Sequence, residues 1–148
     1  MRSRGAIHID VEMQVPFFDV DMLEIVWHGH YVKYLEVARC ALLSELHYDY
    51  QEMEKSGYAW PVVDLHLKYI RPLRFLQRCR VTATLVEYEN CLKIRYVFRD
   101  AETGAVVNKA ESMQMAVEMK TMESCFVSPQ YFLDCVREYR ERKAAGNA

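Results

Sequence analysis

No stretch of this chain holds the ~18 uninterrupted apolar residues that a membrane-spanning helix requires. Cys-x-x-Cys pairs are also missing, and the five cysteines (Cys40, Cys79, Cys91, Cys125 and Cys135) are odd in number and widely scattered. That pattern argues against a disulfide framework or a zinc site and fits a reducing, cytoplasmic setting. Nor is there an excess of one charge. Nineteen basic residues face 21 acidic ones, a net charge of −2, so no global field steers the protein towards nucleic acid or an anionic membrane. Residues 1–5 are short and basic with no apolar run behind them, which argues against a signal peptide. Glycine and proline are sparse, five and four, and no repeat or Pro/Gly/Ser linker appears. A chain of 148 residues without a linker is expected to form one domain, 1–148, with a substantial core.

Hydrophobic periodicity supplies the elements. Ile7, Ile9, Val11, Met13 and Val15 alternate with polar residues as in a half-buried strand, which Pro16 stops. Residues 17–28 read as a loop rich in bulky apolar side chains, carrying Asp19, Asp21 and Glu24. From Gly29 the period changes. Tyr31, Tyr34, Leu35, Ala38, Leu42 and Leu46 recur at three and four, which predicts a long helix to about Leu46. A second short helix is expected over 48–55, ended by Gly57. Strands are expected over 61–70, 78–87, 91–99 and 105–119, with Arg71-Pro72 as a break and hairpin turns at 88–90 and 100–104. Ser128 is expected to cap a last helix with Pro129 at its first helical position and Phe132, Val136 and Tyr139 on its buried face. One long helix followed by a strand meander is an α+β plan, with a curved antiparallel sheet wrapped around one long central helix. Such a sheet leaves a long edge, which a second subunit would cover.

Three segments carry a resemblance. They are Phe18-Asp19-Val20-Asp21, then Ile25-Val26-Trp27-His28-Gly29-His30-Tyr31, then Tyr34-Leu35-Glu36-Val37-Ala38-Arg39. Their content and gap-free spacing from Asp19 to Arg39 resemble the signature of the 4-hydroxybenzoyl-CoA thioesterase family and its acyl-CoA thioesterase relatives. The resemblance implies a hotdog fold, a homodimer or homotetramer, and hydrolysis of an acyl thioester without metal or other cofactor. Coenzyme A or phosphopantetheine would enter only as part of the substrate, whether acyl-CoA or acyl carrier protein. Asp21 matches the family's catalytic carboxylate. The backbone N–H of His28, or of a neighbour, would bind the oxyanion. Substrate contacts are expected from Asp19, Trp27, Gly29, Tyr31, Pro61 and Val62.

The chemistry stands beside the resemblance. A thioester carbonyl needs a nucleophile, or a base acting on water, and donors aimed at the oxyanion that develops. A helix amino terminus offers unpaired N–H groups and the positive end of a dipole, and Gly29 would let a ligand approach the backbone. One such donor lowers the barrier by about 2.7–4 kcal/mol. Asp21 can attack the carbonyl or activate water; the sequence leaves both routes open, and Asp19 is better suited to orienting the loop. Taken singly, each residue has a plainer use. A lone Asp before a helix is usually a cap or turn residue. His28 and His30 do not share a helix face and lack a third metal ligand. Trp27, Tyr31, Tyr58 and Trp60 can line an acyl pocket or serve as core and interface aromatics. Glu36 is placed to pair with Lys33 or Arg39, each three residues away.

Basic residues gather at Lys68, Arg71, Arg74, Arg78 and Arg80, with no acid between Leu65 and Val86. The cluster suits phosphates of coenzyme A or an acidic carrier protein, and equally a solvated, edge-protecting strand face. The turn Glu87-Tyr88-Glu89-Asn90, where described relatives can carry basic residues for coenzyme A, is acidic here. Two other readings remain: a hotdog dehydratase, to which the Asp-x-Asp loop is ill suited, and a non-catalytic acyl-binding module, which would need neither Asp21 nor the bare helix start.

Overall fold

A computed structural model describes residues 6–146; the basic segment 1–5 lies outside the described residues. The alternating first run forms β1 (Ile7–Gln14). After the loop, a 3-10 turn over His28–His30 leads into the long helix α1 (Tyr31–Glu45), one residue short of the expected end. Helix α2 (Tyr50–Ser56) follows. Asp49 caps it by accepting the Glu52 N–H, and Gly57 closes it in the left-handed region at φ 86°, where a side chain would be strained. Then come β2 (Tyr58–Ala59), β3 (Val62–Tyr69), β4 (Arg78–Glu87), β5 (Leu92–Asp100) and β6 (Val106–Gln114). A small hairpin, β7 (Val117–Glu118) and β8 (Glu123–Ser124), precedes the last helix, α3 (Gln130–Gly146).

The main sheet is antiparallel throughout, in the order β1-β4-β5-β6-β3. Its inner face is apolar because β4 and β5 alternate strictly: Cys79, Val81, Ala83 and Leu85 point one way with Ile94, Tyr96 and Phe98. Against it lies the α1 stripe of Tyr31, Tyr34, Leu35, Ala38 and Leu42, the helical face read from the sequence. The expected plan is therefore present, and α1 packs chiefly on β1 and β4. β3 is an edge strand with nearly every side chain exposed, unlike any other long strand. Among the described residues no helix is long and apolar enough to cross a membrane.

Two expectations need correction. The run 105–119 is not one strand. Gln114 turns inward to donate to the Trp60 carbonyl at 2.6 Å, and beyond it β7 leaves the main sheet to pair with β2 in a separate three-stranded sheet. Ser128 does not cap α3 through its side chain: its Oγ has no partner, while its N–H donates to the Glu89 carbonyl at 2.8 Å. Aromatic packing anchors this helix instead. Phe132 is fully buried, with ring centroids 5.1 Å from both Tyr48 and Trp60. Phe132→Ala is expected to destabilise the protein by about 3–5 kcal/mol, measured by chemical denaturation.

Candidate active site

The loop between β1 and α1 carries both acids of the Asp-x-Asp pair, and the fold gives them opposite environments. Asp19 is buried, 1% exposed. Its carboxylate accepts from Lys33 Nζ and from the Tyr34 hydroxyl, both at 2.6 Å, with His30 Nδ1 at 4.0 Å. Lys33 and Tyr34 stand on the first turn of α1, so one side chain ties the loop to the helix that follows. Its carbonyl also accepts the Trp27 N–H at 3.2 Å, closing the loop on itself. Burial alone would raise the Asp19 pKa. The hydrogen bonds from Lys33 and Tyr34 and the nearby positive charges outweigh it and hold the carboxyl below its ordinary value. Tyr34 is pushed far up by burial and by the adjacent carboxylate, so it stays a neutral donor.

Asp21 lies in solvent two residues on. The loop folds tightly around it: its N–H donates to the Ile25 carbonyl at 2.9 Å, and its own carbonyl accepts from Glu24 at 2.8 Å. Its Oδ1 accepts the Leu23 N–H at 2.8 Å, which fixes the carboxylate's direction. Glu24 takes a left-handed φ of 63°, the strained residue that lets the chain reverse. Beyond the reversal, Val26 donates to the Leu73 carbonyl at 2.8 Å, which moors the loop to the segment between β3 and β4.

The 3-10 turn then presents backbone donors. Among the described residues the N–H groups of His28 and Gly29 have no acceptor. The His28 carbonyl accepts the Tyr69 hydroxyl at 2.8 Å, so the end of β3 holds the turn in place. Sequence reasoning missed Tyr69. Its only signal was an aromatic residue just ahead of the Ile70-Arg71-Pro72 break. Tyr31 supports the same corner, its hydroxyl accepting the Leu73 N–H at 3.1 Å.

These elements enclose a cleft of about 440 Å³ lined by Asp21, Ile25, Trp27, His28, Tyr31, Tyr69 and Arg71 among others. It brings together the Asp21 carboxylate, His28 with its unpaired N–H, apolar and aromatic walls and the Arg71 cation. A larger groove of about 610 Å³ lies elsewhere, between the end of α1, α2 and α3. Asp49, Glu52, Asp134 and Glu138 line it, so it would repel an anionic thiol carrier, and it shares no residue with the expected site. Among the described residues no cluster of three metal-ligating side chains is found.

Several expected positions lie elsewhere than the sequence suggested. Asp19 does not line the cleft; its carboxylate is consumed by α1. Gly29 does not leave open room above the backbone: a Cβ there would meet the Trp27 ring at 2.2 Å, so the indole occupies that space. Pro61 and Val62 lie at the far end of β3 from Tyr69, a separation of roughly 23 Å for an eight-residue strand. Of the basic cluster, Arg71 alone lines the cleft. Lys68 and Arg74 are exposed outside it, while Arg78 and Arg80 pair with Glu12 across β1 at 2.7 and 2.9 Å. Glu36 pairs with Arg39, as expected, and Lys33 goes to Asp19.

Comparisons with known proteins bear on the family and the fold. Residues 15–137 match the family model described as the thioesterase-like superfamily. A relative from Bacillus subtilis (strain 168), named "Putative acyl-CoA thioesterase YneP", is 32% identical over 113 residues, covering 76% of this chain and 81% of its own. The fold matches a DHNA-CoA thioesterase from Staphylococcus aureus with a TM-score of 0.79 at 23% identity, over 95% of this chain and 93% of that one. It also matches the Staphylococcus aureus protein SAV2348, solved in complex with CoA, at a TM-score of 0.80 and 17% identity, over 90% and 84% of the chains.

Asp19→Ala is expected to cost about 1–3 kcal/mol, because the buried Tyr34 hydroxyl loses its acceptor. The sign with pH follows from the lowered native pKa. Asp19's stabilisation is fully present above its ordinary value of 3.8 and is lost as pH falls through the lower native value. Denaturation midpoints between pH 7 and pH 2 should therefore fall more steeply for the wild type than for Asp19→Ala.

Proposed function

From the thioesterase-like superfamily, to which this chain belongs, we propose that the protein is an acyl thioester hydrolase that cleaves acyl-CoA with Asp21 and the amino end of α1. One observation carries the reading: Asp21 shares an apolar and aromatic cleft with His28, whose N–H has no acceptor among the described residues. The name of the Bacillus relative supports the same substrate.

The thioester carbonyl oxygen sits at the N–H groups of His28 and Gly29, which gain strength as negative charge collects there. The Asp21 carboxylate, exposed and held by Leu23, acts on the carbonyl carbon in one of two ways. As a nucleophile it forms an acyl anhydride and expels the thiolate, and water then opens the anhydride. As a general base it removes a proton from water, which attacks directly. A single turnover in labelled water separates them, since only the anhydride route can leave label in Asp21.

The thiol carrier is coenzyme A or the phosphopantetheine of an acyl carrier protein, with Arg71 at the rim and Lys68 and Arg74 beyond it to meet phosphate. No cofactor is required. The protein works in the cytoplasm as a homodimer or homotetramer. The free edge of β3, with both faces exposed, is the natural seam. Antiparallel pairing of two such edges would carry the partner subunit's Pro61 and the partner subunit's Val62 towards the cleft.

Thiol release from a panel of aryl- and fatty-acyl-CoAs tests the proposal. Asp21→Asn is expected to lower turnover roughly a hundredfold or more, with little change in stability because the carboxylate is exposed. No release from CoA esters or from acyl carrier protein thioesters would leave an acyl-binding module; dehydration of a β-hydroxyacyl ester would make it a dehydratase.

A further inference from the structure

Neither the 3-10 turn over His28–His30 nor α1 behind it receives a side-chain cap at its start. A single 3-10 turn is also weakly bonded, because its hydrogen-bond geometry is poorer than that of an α-helix. Within the loop the turn is held by backbone alone, His30 N–H to the Trp27 carbonyl at 2.9 Å and Trp27 N–H to the Asp19 carbonyl at 3.2 Å. Support from outside comes from Tyr69, whose hydroxyl donates to the His28 carbonyl at 2.8 Å. That residue is 48% exposed, so its ring gains only part of what burial can give. Phenylalanine would pack there as well. What tyrosine adds is the bond to His28.

Several contacts aim that hydroxyl. Tyr69 closes β3, and the Ile70 and Arg71 N–H groups that follow it donate to the Val107 carbonyl at 3.0 and 2.9 Å. Its ring stands edge-on to Tyr31, with centroids 5.1 Å apart and planes at 85°, and square to the His28 ring at 6.3 Å. The oxygen it bonds and the Gly29 N–H belong to one planar peptide unit, and the His28 N–H sits on the next plane, across a single Cα. Holding the oxygen therefore fixes the direction of the first donor and narrows that of the second. A hydrogen bond accepted by a carbonyl also polarises its peptide and strengthens the attached N–H, by about 10–30%. Among the described residues neither N–H has an acceptor of its own.

We propose that Tyr69 is a positioning residue for thioester cleavage: its hydroxyl orients and polarises the His28–Gly29 peptide, so that the oxyanion meets donors already in place. The inference rests on the thioesterase reading and deepens it, since it carries control of the reacting centre from the loop to the sheet edge. The phenol acts through the backbone, and its donated proton is spent on His28 rather than on substrate. Donors aimed in advance act on the charge that collects on the carbonyl oxygen, and scarcely on the neutral ester. Loss of the hydroxyl is therefore felt in kcat and not in KM.

Tyr69→Phe, which keeps the ring and removes the hydroxyl, is the test. With an aryl-CoA ester kcat should fall roughly fivefold or more, while KM and the denaturation midpoint stay close to those of the wild type. A ring-fluorinated tyrosine at position 69 keeps the donor and strengthens it, so kcat should return to the wild-type value or exceed it. A second measurement needs no hydrolysis. In the ketone analogue of the ester, with a methylene in place of sulfur and carbon-13 at the carbonyl, binding to the wild type should move the carbonyl resonance downfield. Tyr69→Phe should lose part of that shift. A kcat within twofold of the wild type, a loss carried by KM, or a ketone shift equal in both proteins or absent from both overturns the proposal. If the wild type hydrolyses no ester yet its ketone shift depends on Tyr69, the fault lies with the thioesterase reading and not with the positioning of the donors.

Discussion

The carboxylate of Asp19 is the constraint on which the corner of this molecule depends. A charge with 1% exposure is tolerable only where its hydrogen-bonding capacity is met, and here Lys33 and Tyr34 meet it from the first turn of α1. The loop is thereby bound to the helix that follows it. The rest of the corner hangs from that tie. The next acid, Asp21, is set free in solvent, and the turn at His28 to His30 is left with bare N–H groups. Two acids spaced by one residue thus meet opposite environments: one buried and bonded, the other open to solvent.

A second set of contacts turns that corner into a cleft. Tyr69 reaches from the end of β3 to the His28 carbonyl, and Tyr31 receives the Leu73 N–H. Both phenols are raised in pKa, chiefly by burial, and act as neutral hydrogen-bonding groups rather than as acids. Trp27 covers Gly29, so the glycine is needed for indole packing. The cleft is therefore held by aromatic residues from the loop, the helix and the sheet edge.

The elements were largely legible along the chain because period and punctuation carry them. The alternation of Ile7 to Val15, the three-and-four spacing of the helix, and the Gly57 and Arg71-Pro72 breaks all appear where local rules put them. Local rules failed where a distant partner intervened. Gln114 ends β6 because Trp60, far away in sequence, offers a carbonyl. Ser128 has the right chemistry for a cap, yet its Oγ meets no donor and α3 is seated by Phe132 instead. The basic cluster read as a single patch, but strand pairing gave Arg78 and Arg80 to Glu12 and left Arg71 at the cleft.

What the sequence determined by itself is the order of elements, the buried face of α1 and the gap-free spacing that sets an acid ahead of a helix amino terminus. These depend on residues close in the chain, whose geometry follows from helix and strand periods. Only the tertiary structure decided which of the two acids would be buried and which aromatic would hold the turn. Tyr69 lies 41 positions from His28. The fold of the sheet edge against the turn brings them together, and no local pattern encodes such a meeting.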